Sequence, residues 1–91
     1  MPRIHLRVVG KVQGVGFRWF VREQARARGI AGWVRNTSDG GVELQAEGSA
    51  EALSALTAAV RTGPTASYVT GVVVVQSEIV DLLTVPFIAI R

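Results

Sequence analysis

Cysteine is absent from this 91-residue chain, which excludes disulfide staples, thiolate catalysis and metal sites built on sulfur. Histidine occurs once, as His5, and aspartate twice, as Asp39 and Asp81. No Asp-x-Asp pair is present to carry an aspartyl-phosphate or share a metal, and His5 has no serine or carboxylate partner in a recognisable motif. Neither a metal nor a cofactor is expected. Lysine also occurs once, so nine of the ten basic residues are arginine, and the formal charge is only +3 with no dense basic block. That balance suits small anions better than nucleic acid. No apolar run approaches the ~20 residues of a membrane helix, and Val72 to Val75 reads only as a buried strand. The start, Met-Pro-Arg-Ile-His, has no apolar signal core. A cytoplasmic monomer with no membrane partner is the expectation.

What is present is globular. The chain is 48% hydrophobic and 19% charged, and a domain of this size buries roughly 60–65% of its unfolded surface. One domain over residues 1–91 is therefore expected, without internal repeats or linkers. Ile4, Leu6 and Val8 alternate with His5 and Arg7, predicting a half-buried strand to about Val12. Phe17, Phe20, Val21, Gln24, Ala25 and Arg28 share a face at helical spacing, with Gly29 as the stop. Ile30 to Arg35 reads as a second strand, and Thr37 to Gly41 as a hairpin connection. Val42, Leu44 and Ala46 alternate with Glu43, Gln45 and Glu47, predicting a third strand with one wet face.

Ser49 is the predicted N-cap of a second helix, with Glu51 in its first turn and Leu53, Leu56, Ala59 and Val60 as its buried stripe. Gly63-Pro64 ends it. Tyr68 to Gln76 reads as a fourth strand, and Pro86 to Ile90 as a short fifth, with Phe87 and Ile90 as candidate contacts. The order β-α-β-β-α-β plus a tail strand predicts an α+β, ferredoxin-like sandwich: an antiparallel sheet with both helices on one face and strands one and three central. In that topology the loop after strand one lies near the end of strand two.

That loop carries the chemistry. Gly10 to Arg18 reads Gly-Lys-Val-Gln-Gly-Val-Gly-Phe-Arg and leads from a strand into a helix. Glycines let backbone N–H groups converge at a helix start, where the dipole favours an anion. Arg18 adds a planar fork of donors suited to phosphate oxygens. No side chain in the chain stands out as a nucleophile, which leaves water, oriented by a neutral group such as the Asn36 carboxamide. A site without a strong base works only on phosphoryl groups with a good leaving group, of which acyl phosphates are an example.

Val12-Gln13-Gly14-Val15-Gly16-Phe17-Arg18, the spaced Gly32-Trp33-Val34-x-Asn36 and Asp39-Gly40-x-Val42-Glu43 together closely resemble the acylphosphatase family. The resemblance extends over essentially the whole chain, including Gly48, Gly63-Pro64 and Phe87-x-x-Ile90-Arg91. It implies metal-free hydrolysis of acyl phosphates to carboxylate and inorganic phosphate, the phosphate acting also as inhibitor. It implies a phosphate-binding loop of Gln13, Gly14, Val15, Gly16, Phe17 and Arg18, with Arg18 gripping phosphate and Asn36 orienting water. Trp19, at a position that varies in the family, is placed to narrow the pocket mouth. Tyr68 stands where relatives often carry arginine or another polar residue, away from the site. Ser77 to Pro86 is more apolar than usual, which leaves the pairing of the fifth strand open.

Two other readings compete. Domains of this kind also begin larger carbamoyl-transfer proteins of hydrogenase maturation, where carbamoyl phosphate would be the ligand. A gene continuing past Arg91 would favour that reading. Gly16-Phe17-Arg18-Trp19-Phe20-Val21 superficially echoes an RNA-recognition motif, but it falls at a loop-to-helix junction, where its aromatics cannot splay onto a sheet face. The remaining residues have plainer expected roles. Trp33 is expected to pack in the core, and Arg22, Arg26 and Arg28 to form a solvated helix face. Gln13 is expected to shape the loop through its backbone.

Overall fold

The computed structural model describes residues 2–75 and 86–90. In chain order the elements are β1 (Arg3–Lys11), α1 (Phe17–Arg26), β2 (Ala31–Asn36), β3 (Val42–Glu47), α2 (Ala50–Thr62), β4 (Tyr68–Val74) and β5 (Ile88–Ile90). Among the described residues they form one sheet in the order β4-β1-β3-β2-β5. The first and third strands are central, as the predicted topology requires. Every pairing is antiparallel except that of β2 with β5, which is parallel. This settles where the fifth strand goes: Trp33, Val34 and Arg35 lie opposite Ile88, Ala89 and Ile90. Gln76, the expected end of the fourth strand, and 77–85 of the segment before β5 lie outside the described residues.

Alternation along the central strands decides which face the helices cover. Leu6 lies opposite Leu44, and Leu44 opposite Val34, so three apolar side chains form one row across β1, β3 and β2. Phe17, Val21 and Ala25 of α1 and Leu53, Leu56 and Val60 of α2 join that row in a single buried cluster. Both helices therefore lie on the same face. Each fully buried side chain of this size contributes about 1.5–3 kcal/mol. Phe87 is also in the cluster and fully buried, whereas Ile90, the other expected contact, is 40% exposed.

The helix ends have local causes. Ile30 N–H donates to Ala25 O at 3.0 Å and Gly29 N–H to Arg26 O at 3.2 Å, the paired bonds of a Schellman stop. Gly29 is thus the stop the sequence indicates. Arg28 falls outside α1 and is exposed, and of its expected face only Phe17, Val21 and Ala25 are fully buried. Ser49 caps α2 by accepting from Ala52 N–H at 3.1 Å. Ala59 is half-buried beside the buried Leu56 and Val60.

The face away from the helices departs from expectation. Glu43 and Gln45, read as the wet side of β3, are only 6% and 4% exposed. The reason is the register. Arg7, Glu43 and Arg35 make one row, and His5, Gln45 and Trp33 the next. His5 and Arg35 pair with Glu43, and His5 also lies beside Gln45, so Glu43 and Gln45 meet neighbouring side chains instead of water. Trp33 is half-buried here, not in the helix-side core, in a T-shaped contact with the His5 ring at 6.5 Å and with the Arg35 guanidinium 5.8 Å from its centroid.

Candidate functional site

The three glycines of the motif divide into two jobs. Gly10 belongs to β1, at a bulge where the register against β4 shifts between Val9 and Gly10. Its φ is +132°, and a Cβ there would lie 2.1 Å from the Tyr68 carbonyl oxygen. The bulge turns the strand end so that Val12 is buried. Gly14 and Gly16 follow in the loop with φ of 73° and 78°, left-handed values that other residues adopt only with strain. Phe17, the first residue of α1, is fully buried in the core cluster and anchors the helix start.

That start is uncapped. Gly16 holds the N-cap position without a side-chain hydrogen bond, and no acid stands in the first turn. The first amides of α1 and the positive end of its dipole are left for an outside partner. In α2 the same groups are met by Ser49 and Glu51.

A cavity of about 370 Å3 opens at this helix start, lined by Val12, Gly14, Gly16, Phe17, Arg18, Trp19, Arg22, Asn36 and Ala89. Arg18 and Asn36 thus line one cavity despite their separation in sequence. Val34 and Asn36 share the helix-side face of β2, and Asn36 pairs with Val42, which also pairs with Val8 of β1. No described residue hydrogen-bonds the half-buried Asn36 carboxamide. Arg18 Nη1 donates to Ile90 O at 2.9 Å, and a guanidinium has further N–H donors for a second acceptor.

Of the expected loop residues, Gln13 and Val15 do not line the cavity. Val15 is half-buried and packs on the core. Gln13 works through its side chain, contrary to expectation: Nε2 donates to Thr37 O at 2.7 Å and to Gly41 O at 2.8 Å. It ties the loop to the hairpin that follows Asn36. Within that hairpin Thr37 Oγ1 donates to Asp39 Oδ1, and Gly41 N–H lies 3.3 Å from the same oxygen. The Thr37 hydroxyl, then the Gly41 amide, hold the Asp39 carboxyl below its ordinary range.

Sequence reasoning missed two cavity residues, Arg22 and Ala89, and one contact outside the cavity, that of Arg26. Arg22 lines the cavity instead of a solvated face, and its spacing of four from Arg18 was the available signal. Arg26 is likewise not simply solvated, since its Nε donates to Phe87 O at 2.8 Å. Ala89 reaches the cavity through the parallel pairing of β5, which no motif encodes.

The expectation that His5 lacks a partner is also corrected. Its Nε2 lies 2.5 Å from Glu43 Oε2, with both side chains buried. Glu43 Oε1 accepts from Arg35 Nε at 2.9 Å and Nη2 at 2.5 Å. Burial works against the Glu43 charge, but the His5 and Arg35 hydrogen bonds outweigh it and hold the carboxyl below its ordinary range. Arg35 immediately precedes Asn36, so this cluster anchors the end of β2.

A larger depression of about 550 Å3 lies between α2 and the start of β1, lined by Pro2, Ile4, Leu53, Ser54, Thr57 and Arg61 among others. Among the described residues its lining holds one cation, Arg61, and none of the expected site residues. Chemistry therefore favours the smaller cavity. Among the described residues no three His, Asp or Glu side chains converge as metal ligands.

A ferredoxin-like sheet whose first loop and helix start line an uncapped, arginine-bearing cavity defines a class of small domain suited to holding an oxyanion. The profile of the acylphosphatase family matches residues 4–81. The acylphosphatase of Bifidobacterium longum is 51% identical over 81 residues, spanning 89% of this chain and 84% of that protein. The crystal structure of acylphosphatase from Bacillus subtilis has a TM-score of 0.90 and 41% identity, covering 100% of both chains. HypF from T. kodakarensis matches with a TM-score of 0.83 and 28% identity, over 100% of this chain and 12% of that one. The chain belongs to the acylphosphatase family.

Proposed function

We propose that the protein is an acylphosphatase, hydrolysing the carboxyl–phosphate bond of acyl phosphates to carboxylate and inorganic phosphate. In this reading the amides of residues 13–18 and the Arg18 guanidinium hold the phosphoryl oxygens. The Asn36 carboxamide orients a water for in-line attack. A water oxygen bonds to phosphorus as the bond from phosphorus to the acyl oxygen breaks. The carboxylate departs without needing a proton, and the water proton passes to a phosphate oxygen. Because the transferring group brings its own charge, the protein's task is positioning and electrostatic stabilisation.

The observation that carries the reading is the single cavity lined by Gly14, Gly16, Arg18 and Asn36 at an uncapped helix start. The alternative, a carbamoyl-phosphate-binding module of a larger protein, is supported by the match to HypF. It is the weaker reading, because relatives named acylphosphatase match this chain over most of their own length. A cytoplasmic monomer with residues 1–91 acting as one domain completes the proposal.

The test is turnover of benzoyl phosphate in chelator-treated buffer, with inorganic phosphate as a competitive inhibitor. Removing a preorganised transition-state donor costs about 10²–10³ in kcat. Arg18→Ala is expected to lose at least that much, and Asn36→Ala to fall by a comparable factor with fold intact. A wild-type rate in Arg18→Ala ends the proposal.

A further inference from the structure

Trp19 stands where burial cannot explain it. It is 60% exposed, and at 100° per residue it lies about 160–200° around α1 from the buried Phe17 and Val21. Arg18 and Arg22 point into the same arc, roughly 100–140° from Phe17. A single exposed aromatic side chain needs no explanation by itself. This one, however, lines the same cavity as Gly14, Gly16, Arg18 and Asn36.

The cavity has room for more than its anion. At about 370 Å3 it falls in the range of small-molecule sites, about 300–1,000 Å3, and exceeds what a bare phosphate fills. Its anion-holding groups cluster at the loop and helix start. What remains along the helix wall is the Trp19 indole and the Arg22 side chain one turn further on. Among the described residues no acid lines the cavity.

Resting on the acylphosphatase reading, we propose that Trp19 is the acyl-side platform of this site, favouring acyl phosphates with a flat aromatic acyl group over those with a small aliphatic one. In-line displacement separates the two ends of the reaction. Water held by Asn36 comes from β2, so the departing carboxylate faces the other wall, which α1 supplies. An indole there offers a rigid, already exposed surface that loses little conformational freedom on stacking. Arg22, whose Nε donates to Glu23 at 3.2 Å, lines the same cavity.

The experiment uses two inert probes with the same anionic head, phenylphosphonate and methylphosphonate, measured by calorimetry on wild type, Trp19→Ala and Trp19→Phe. Aromatic stacking predicts that wild type binds the phenyl probe about 2- to 12-fold more tightly than the methyl probe. Trp19→Ala should bring the two affinities together by weakening the phenyl probe, and Trp19→Phe should retain part of the preference. The ratio of kcat/KM for benzoyl over acetyl phosphate should fall in parallel. If wild type shows no preference, or Trp19→Ala keeps it in full, the platform is overturned while the phosphate site stands. If neither phosphonate binds wild type, the phosphate site itself fails and the platform falls with it.

Discussion

Replacing Gln13 tests whether the loop is held by backbone shape alone or by a clamp. Gln13 Nε2 donates to two carbonyls, Thr37 O at 2.7 Å and Gly41 O at 2.8 Å. A net hydrogen bond contributes about 0.5–1.5 kcal/mol, so two set an upper limit of about 3 kcal/mol. The acceptors lower that limit. Thr37 O also receives Gly40 N–H at 3.3 Å, and Gly41 O receives Thr37 N–H at 2.9 Å, so neither carbonyl is orphaned when Gln13 is lost. The expected loss is therefore about 1–2 kcal/mol, or roughly 4–16 °C in Tm for a domain of this size. Gln13→Met keeps the side-chain bulk and removes the donors, so it isolates the hydrogen bonds from packing. Urea unfolding gives the stability, and benzoyl phosphate turnover at a temperature where the variant is folded gives the loop's positioning. Both should fall in Gln13→Met, with kcat affected because the clamp joins the proposed phosphate loop to the hairpin beside Asn36. A Gln13→Met protein as stable and active as wild type would refute the clamp.

Two further perturbations read other parts of the fold. Glu43→Gln replaces the buried carboxylate that His5 and Arg35 share, and should cost about 1.5–3 kcal/mol at pH 7. Because the Glu43 carboxyl is held below its ordinary value of 4.5, its stabilisation is complete above that value and lost as pH falls through the lower folded one. The gap between wild type and variant should thus shrink on acidification below about pH 4.5, and urea midpoints that keep a constant gap from pH 7 to pH 3 would contradict it. Ser49→Ala removes the cap that Ala52 N–H uses and should cost about 1 kcal/mol, with Ser49→Asp recovering most of it in the same unfolding assay.

Which of these features could be read before the fold was known follows from the range of the interaction behind each. Periods of two and 3.6 residues reflect burial on one face, so β1, β3, α2 and the positions of Leu6, Leu44 and Leu56 were legible locally. The glycine loop was legible for the same reason, since Gly14 and Gly16 adopt φ values that the chain must encode in place. Glu43 and Gln45 misled because alternation reports polarity, not exposure. Whether a polar strand face meets water depends on what the neighbouring strands put beside it. Here the register sets His5, Trp33 and Arg35 around Glu43, and His5 comes from 38 residues away. Gln13, Arg18 and Arg26 were read incompletely for another reason. Their described partners are backbone carbonyls, of Thr37 and Gly41, of Ile90 and of Phe87. A carbonyl acceptor belongs to every residue and leaves no mark in a sequence.

Those carbonyl contacts link the two groups on which the proposed chemistry rests. Asn36 sits at the end of β2 and Arg18 in the first turn of α1. β5 pairs with β2 through Arg35 and Ile90, the residue before Asn36 and the residue whose carbonyl Arg18 holds at 2.9 Å. Arg26, two turns along α1, grips the same region through Phe87 O at 2.8 Å, and the Phe87 ring is fully buried in the core. A strand of three residues thus spans the gap between helix and sheet, with a guanidinium bond near each end and a ladder of parallel pairing on its flank. In-line phosphoryl transfer tolerates little error in the placing of water against the phosphoryl group. Tying the Arg18 guanidinium and Arg35, the residue before Asn36, to one short strand limits the separation of Arg18 and Asn36 without a direct bond between them, and leaves the carboxamide and the remaining guanidinium donors open to the substrate and water of the proposed reaction.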